Sequence, residues 1–176
     1  MTNARPPAWL PDDFEPPARL DLPSGHHLRP IAADDIDLDY PAVMGSQPRL
    51  FEIFGAAWGW PPADLTRQED LDELVRHADE MAARLSYNFA IFDRDETALL
   101  GCVYVDPPEK VGADAEISWW VVDAEVGGEL EACLPAEVRR WIASAWPFAA
   151  PRFIGEGLDL TWAEQLALPD ITREPS

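Results

Sequence analysis

The stretch AEISWWVVDAEVGGELEACLPAEVRRWIASAW, residues 115–146, decides the fold of this chain. The bulky and β-branched residues that begin at Ile117 predict a strand, which Asp123 stops. Gly127 and Gly128 predict a turn, and apolar residues at helical spacing follow it. A strand, a glycine turn and a helix together are one way to hold a phosphate, because the amides of the first helical turn point at the anion.

Pro135 leaves two interpretations of the helix after this turn. The proline lies in the first turn of a helix over about 135–145, with 127–134 as a separate turn, or it kinks one longer helix.

The composition limits the partners of the chain. Its 176 residues, 47% of them hydrophobic, are enough for one domain with a buried core. The formal net charge of −20 argues against nucleic acid and anionic membranes as partners. The negative charge keeps the protein soluble, or it attracts a cationic substrate.

Cys102 and Cys133 lack CxxC spacing and are predicted to be buried free thiols. We find no signal-peptide core and no apolar run long enough to span a membrane, so we expect a soluble cytoplasmic protein.

The chain is predicted to hold one domain, 19–168, between a proline-rich tail, 1–18, and a C-terminal tail, 169–176. The element order predicts an α+β fold with a mostly antiparallel sheet flanked by helices. The predicted elements are strands at 19–22 and 26–31, a helix from Ala33 that Pro41 interrupts, a helical piece at 49–54, a loop at 55–62, a helix at 66–85, strands at 87–92, 98–105 and 115–122, a short strand at 153–154, and a last helix ending at Leu168.

The helix at 66–85 carries the clearest signals. Thr66 and Glu69 have the spacing of a capping box. His77 lies between charged neighbours and is predicted to be solvated. The predicted buried face of the helix consists of Leu71, Leu74, Val75, Ala78, Met81, Ala82 and Leu85.

In the predicted strand at 98–105, Gly101 indicates a bulge or a close approach of two strand backbones.

Three short motifs, in order along residues 19–165, resemble the GNAT superfamily of acyl-CoA N-acyltransferases. LRPI at 28–31, followed by ADD, is similar to the entry into that family's first helix. LGCV at 100–103 is similar to its third strand. AEISWWV at 115–121 resembles its fourth strand as found in the branch that acetylates ribosomal-protein N-termini.

The resemblance implies acetyl-CoA as cofactor. By the family pattern, backbone groups of Trp120, Val121 and Val122 hold the pantetheine arm, and Gly127 and Gly128 belong to the turn that binds the pyrophosphate.

The pyrophosphate signature departs from the family pattern. The Arg or Gln that begins it is absent, and Glu129 or Glu131 stands where a later glycine is usual. Together with Glu125, these carboxylates repel a diphosphate, although backbone amides bind an anion whatever side chains surround them.

Acetyl transfer to an amine needs a base, and the resemblance points to Glu116, a charged residue between apolar neighbours. The alternative is that Glu116 lies at the sheet rim and pairs with an arginine. Tyr104 orients the substrate or packs in the core. The family's usual tyrosine acid is missing, because 155–168 contains Trp162 and neither Tyr nor Cys.

The sequence says least about which amine accepts the acetyl group. Trp58, Trp60 and Trp119, with Trp120, form an aromatic pocket for a cationic amine or fill the core. Adjacent strand residues point to opposite faces, which argues against a metal site at His26–His27.

The expected partner is a small-molecule or peptide amine, with no nucleic acid and no membrane, and a homodimer stays open. The chain is thus an N-acetyltransferase, a GNAT-like binding module without catalysis, or an unrelated α+β regulatory domain.

Overall fold

The computed structural model describes residues 9–171 and confirms the predicted α+β class. Short 3-10 turns at Ala33–Asp35 and Asp123–Glu125 precede the first and fourth helices. The strands and helices, in chain order, are β1 Leu20–Asp21, β2 His27–Pro30, α1 Ile36–Gly45, α2 Gln47–Trp58, α3 Arg67–Ala82, β3 Tyr87–Phe92, β4 Leu99–Asp106, β5 Ala115–Val121, α4 Glu129–Ala145, β6 Pro151–Phe153 and α5 Trp162–Ala167.

The strands form one six-stranded sheet in chain order. All neighbours are antiparallel except β5 and β6, which run parallel. β5 and β6 pair only from Ala115 to Ile117. Beyond this point β6 departs, and Ile154 bridges to Leu160 instead. The sheet therefore opens along the second half of β5.

Each face of the sheet carries its own core. On one face, α4 packs Leu134 and Ile142 against Phe89 and Ile117 of the strands. On the other face, α1, α2 and α3 form a second core, which Phe54 centres. Leu28 and Ile31 are 0% and 2% exposed and lie on opposite faces.

The helices between β2 and β3 differ from the prediction. α1 continues through Pro41, because burial of Ile36 and Val43 on either side holds the helix across the missing amide. α2 runs to Trp58, so the predicted loop at 55–62 begins only at Gly59, whose left-handed φ of 64° ends the helix.

Pro135 likewise lies inside α4, a single helix over Glu129–Ala145. The interpretation with one longer helix is the one that the structure adopts.

The structure confirms the predicted start of α3 and corrects its predicted buried face. The capping box of Thr66 and Glu69 is present. The helix ends at Ala82, and Val75 and Leu85 of the predicted buried face are each 44% exposed. The face turned inward carries Asp70 together with Leu74, because α3 borders a polar cavity here and not only an apolar core.

The described part of the N-terminal segment packs against the domain. Leu10 is 3% exposed, and Trp9 stacks on Phe148 at a centroid distance of 5.4 Å. Residues 1–8 and 172–176 lie outside the described residues, so the two tails stay a prediction.

Cys102 is buried as predicted, whereas Cys133 is only half-buried, and both are free thiols. Across residues 9–171, no helix has the length and apolarity needed to cross a membrane.

Candidate active site

The opening in the sheet exposes backbone groups of β5. The amide of Val122 donates to the Leu100 carbonyl at 2.9 Å, so alternate residues, including Trp120, face β4. The backbone groups of Trp119 and Val121 therefore point into the opening. This register corrects the predicted set, in which Trp120 and Val122 were expected to offer their backbone to the cofactor.

Gly101 makes this register possible. A Cβ atom at position 101 would overlap the Trp120 carbonyl oxygen. The predicted close approach is confirmed, and a register shift in the β3–β4 pairing begins beside it, between Ile91 and Phe92. The two backbones meet where β5 enters the opening, so any side chain at Gly101 must displace β5.

One cleft, of about 790 Å³, lies along the opening and is called the strand cleft here. Its basic residue is Arg49 of α2, whose Nε lies 2.6 Å from Asp123 Oδ1 and which also donates to the Val121 carbonyl. No motif in the sequence singles out Arg49, because it lies in a different helix, far from the turn. The other residues at the opening include Trp119, Trp120, Val121, Glu131, Ile154 and Trp162.

The glycine turn before α4 is held by the chain's own carboxylate. Glu131 Oε2 accepts a hydrogen bond from the Gly127 amide at 2.6 Å. The Gly128 amide donates to the Glu125 carbonyl at 3.0 Å. Gly127 has φ of 75°, the left-handed conformation that a glycine adopts without strain. An anion at this turn must therefore displace Glu131 to reach the Gly127 amide.

Several aromatic residues lie together on the face of the sheet that packs against α1, α2 and α3. Trp58 lies 5.3 Å from Tyr104 and 5.0 Å from Trp162 between ring centroids. Trp60 lies 6.1 Å from Trp120. The Trp120 indole donates to the Tyr104 hydroxyl at 2.9 Å.

Trp119 does not join this group. It packs on the α4 face and lines the strand cleft, because neighbouring residues of a strand point to opposite faces. The structure thus brings Trp58 and Trp60 together and separates Trp119 from them.

The aromatic group borders a cavity of about 660 Å³, called the acidic cavity here. Its carboxylates come from α1, α3, β4, β5 and the loop after β4. The ones that line it are Asp39, Asp70, Glu73, Glu80, Asp106, Glu109 and Glu116.

The deepest of these carboxylates belong to the helices. Asp39 is 4% exposed and Asp70 is 1% exposed. Burial, together with the charge of Asp70, raises the pKa of Asp39 well above its ordinary value. Burial and the charge of Glu73 raise the pKa of Asp70 to about 6. The Glu73 carboxylate accepts a hydrogen bond from the Trp60 indole at 3.0 Å.

Glu116 lies at the end of the cavity where β4 and β5 pair. It is 8% exposed, and its Oε1 accepts hydrogen bonds from the amides of Glu109 and Lys110 at 3.1 and 3.0 Å. Arg152 Nη1 lies 3.9 Å away. Asp106 is the cross-strand partner of Glu116, and burial, with the nearby charge of Glu116, raises its pKa to about 7. Sequence patterns missed Asp106, since it ends its strand beside two prolines.

His77 also lines this cavity, which corrects its predicted solvated position. Its side chain is 18% exposed, and burial lowers its pKa to about 4, so the ring is neutral near pH 7. Within residues 9–171, no group of three or more His, Cys, Asp or Glu side chains is arranged to hold a metal ion.

The strand cleft and the acidic cavity meet at the opening of the sheet. Trp120, Ile154, Trp162 and Leu166 line both. A ligand in the strand cleft and a second ligand in the acidic cavity can therefore approach each other beside β5. The first space offers strand backbone and one arginine, and the second offers buried carboxylates and aromatic rings.

Solved structures with the same fold are acetyltransferases. One from Salmonella typhimurium, described as modifying the N-terminal serine of 50S subunit protein L7/L12, aligns with a TM-score of 0.59 at 12% identity, over 77% of this chain and 72% of that one. A ribosomal-protein-S5-alanine acetyltransferase from Vibrio fischeri aligns with a TM-score of 0.52 at 13% identity, over 72% and 68% of the two chains.

A ribosomal L7/L12 alpha-N-protein acetyltransferase aligns with a TM-score of 0.54 at 13% identity, over 68% of this chain and 61% of that one. No protein-family model and no curated protein matches this sequence. At these identities the structural matches show a common fold.

Proposed function

We propose that this chain, which has the fold of the GNAT superfamily, transfers an acetyl group from acetyl-CoA to an amine. The observation that carries the proposal is the meeting of the strand cleft and the acidic cavity beside Trp120 and Trp162. Transfer between two bound molecules requires that their reacting atoms share one position, and such a junction provides it. The amine in the acidic cavity is a small molecule or a protein N-terminus.

The strand cleft suits the arm of acetyl-CoA, which supplies an acyl group activated as a thioester. The backbone groups of Trp119 and the amide of Val121 face the opening and offer hydrogen bonds to amides of the arm, whereas the Val121 carbonyl accepts from Arg49. Arg49 supplies the positive charge that the glycine turn lacks once it leaves Asp123 and the Val121 carbonyl, and a guanidinium binds phosphate oxygens in a bidentate manner. Glu131 must turn away from Gly127 for the diphosphate to reach that amide.

The acidic cavity holds the amine and accepts its proton. Carboxylates attract the ammonium form, but only the neutral amine attacks a carbonyl carbon. We assign the base to Glu116, with Asp106 beside it as a second proton acceptor. The pKa of Asp106, raised to about 7 by burial and by Glu116, suits proton transfer near neutral pH.

Tyr104 has a positioning role in this proposal. Its oxygen accepts a hydrogen bond from Trp120, and burial raises the pKa of its hydroxyl well above the ordinary value. The hydroxyl therefore keeps its proton and has it available for an acceptor atom in the cavity. In the absence of a tyrosine at 155–168, solvent protonates the thiolate that leaves.

A thermal-shift titration with acetyl-CoA, followed by mass detection of acetylated amine, tests the proposal. We expect a melting temperature that rises with acetyl-CoA concentration and product that carries one acetyl group. No shift at millimolar acetyl-CoA, together with no product, would overturn it. Arg49→Gln is expected to weaken the shift, and Arg140→Gln, an exposed arginine paired with Glu137 on α4, serves as the matched control.

A GNAT-fold binding module without catalysis is the second candidate. The contact of Glu131 with the Gly127 amide favours it, because the chain already satisfies the amide that a diphosphate needs. Binding of an amine without any binding of coenzyme A would identify this alternative. A cytoplasmic location and assembly as a homodimer are further parts of the proposal, which cell fractionation and light scattering test.

A further inference from the structure

We propose that the acceptor is a small diamine, whose second ammonium group binds the inner acid cluster of Asp39, Asp70 and Glu73. This inference rests on the proposed function, since it takes the first amine to be the one that is acetylated. Three observations support it. The carboxylates of the acidic cavity form two separate groups, one of these groups has no basic partner, and two buried acceptor atoms have no donor.

The carboxylates of the cavity form two groups on different walls. The inner acid cluster lies on α1 and α3, beside Cys102 on the sheet, and Asp39 and Asp70 interact directly there. The second group lies at the paired ends of β4 and β5, around Asp106 and Glu116. A ligand with one positive charge can neutralise one group only, whereas a diamine carries a second positive charge for the other group.

The inner acid cluster lacks basic partners. None of its carboxylates forms an ion pair with a described Lys, Arg or His residue. The two arginines nearest to the cluster along α3 pair elsewhere: Arg67 lies 2.6 Å from Asp37, and Arg76 lies 3.2 Å from Glu80. A hydrogen bond between Asp39 and Asp70 reduces the cost of burying this pair, and an ammonium group at this position would supply the positive charge that the cluster lacks.

Two buried acceptor atoms of the same cavity lack donors. Asp70 Oδ2 and Asn88 Oδ1 accept no hydrogen bond from any residue in 9–171, although their side chains are 1% and 4% exposed. Asn88 lies on β3 opposite Tyr104, outside the acid cluster, so it is independent of the charge argument. Buried acceptors require donors, and an ammonium group carries only donors.

The aromatic residues add to the preference for a cation of small size. Trp60 donates to Glu73, and Trp58 is 42% exposed beside it, so both rings are available to a positive group. A peptide would bring carbonyl oxygens, which the buried carboxylates repel. A flexible chain of methylene groups brings none, and it fits against the apolar side chains of Ile31 and Val43 that line the cavity.

Calorimetric titration of the full chain with diaminobutane and with butylamine, without coenzyme A, tests the inference. We expect diaminobutane to bind about tenfold more tightly than butylamine, or more. Asp70→Asn is expected to remove this advantage and to leave butylamine binding unchanged. Asp72→Asn, the same charge change on the exposed side of α3, is the matched control and should behave like the parent protein. If Asp70→Asn does not fold, Glu73→Gln replaces it with the same expectation.

Equal affinities of the two amines would overturn the inference, and so would an unchanged preference in both Asp70→Asn and Glu73→Gln. A lysine-rich peptide that binds more tightly than diaminobutane would replace the small diamine with a protein acceptor. Acetyl transfer separates this inference from the proposed function. Diamine binding without transfer contradicts the proposed function alone, whereas transfer to butylamine and diaminobutane with equal KM contradicts the diamine alone.

Discussion

Acidic residues crowd two regions of this protein, the acidic cavity and the start of α4, and the two groups behave differently. In the cavity, burial raises the pKa of Asp39, Asp70 and Asp106. At the start of α4, Glu129 is exposed, and Glu131 makes a hydrogen bond to a backbone amide. Carboxylates at a helix N-terminus are stabilised by the free amides there.

The difference shows that burial, and not charge alone, decides what an acidic residue does. The carboxylates of the inner acid cluster have no ion-pair partner among the described residues, which is the basis of the proposed cation site. The carboxylates at α4 already have the partners that an anion would use, so they weaken an anion site without creating a cation site. Both regions meet β5, and the following predictions separate their contributions.

The largest effect is expected from Gly101→Val, which disturbs both regions at once. Its side chain would overlap the Trp120 carbonyl and push β5 away from β4. We expect a loss of about 3 kcal/mol of unfolding free energy in chemical denaturation. Gly45→Ala is the control, because no atom lies within 4 Å of a Cβ there. An unchanged stability of Gly101→Val would contradict the close approach of the two backbones.

The next effect concerns the cavity alone. Glu116→Gln keeps the side-chain shape and removes the proposed base, so kcat is expected to fall by about 100-fold or more. Circular dichroism and melting temperature should stay close to those of the parent protein. Activity equal to the parent's would remove Glu116 as the base, and Asp106→Asn would then be the variant to measure.

Stability should depend on pH through the buried carboxylates. The folded-state pKa values of Asp70 and Asp106, about 6 and about 7, exceed the unfolded value of 3.8. The folded state therefore binds protons more tightly, and this stabilisation is complete below about pH 4 and lost as the pH rises through 6 to 7. For Asp70 the loss is about 3 kcal/mol.

Melting temperatures measured between pH 4 and pH 8, at steps of about one pH unit, test this effect. Asp70→Asn should flatten the decline, whereas Asp72→Asn should leave it as it is. Glu96 provides the opposite sign, since hydrogen bonds from Arg29 and His27 lower its pKa from 4.5 to about 2, and its contribution is lost as the pH falls between these two values. Parallel curves for Asp70→Asn and the parent protein would contradict the raised pKa.

The smallest effect is expected at the start of α4. Glu131→Gln removes a charge and weakens the contact with the Gly127 amide, so coenzyme A should bind about threefold to fivefold more tightly. Glu129→Gln removes the same charge from an exposed residue with no such contact and should change the affinity less. Equal gains in both variants, measured by calorimetry, would show that charge alone matters and that the amide contact does not.

The sequence alone determined the elements that depend on local signals. The capping box at Thr66, the hairpin of β3 and β4, and the close approach at Gly101 all follow from neighbouring residues. The order of the strands around β5 was enough for the GNAT resemblance, because strand patterns are also local. The resemblance also pointed to Glu116 and Tyr104 as candidate site residues, and the structure shows that both line the acidic cavity.

Tertiary structure alone decided which helix faces turn inward and which charges are buried. Asp39, Asp70 and Asp106 lie in three elements, and nothing in their local sequence marks them as partners. The helical period of α3 predicted Val75 as buried, but the rotation of α3 against the cavity exposes it. Burial is a property of the assembled layers, and it raises a pKa only when they assemble, so the proposed amine-binding site exists only in the folded protein.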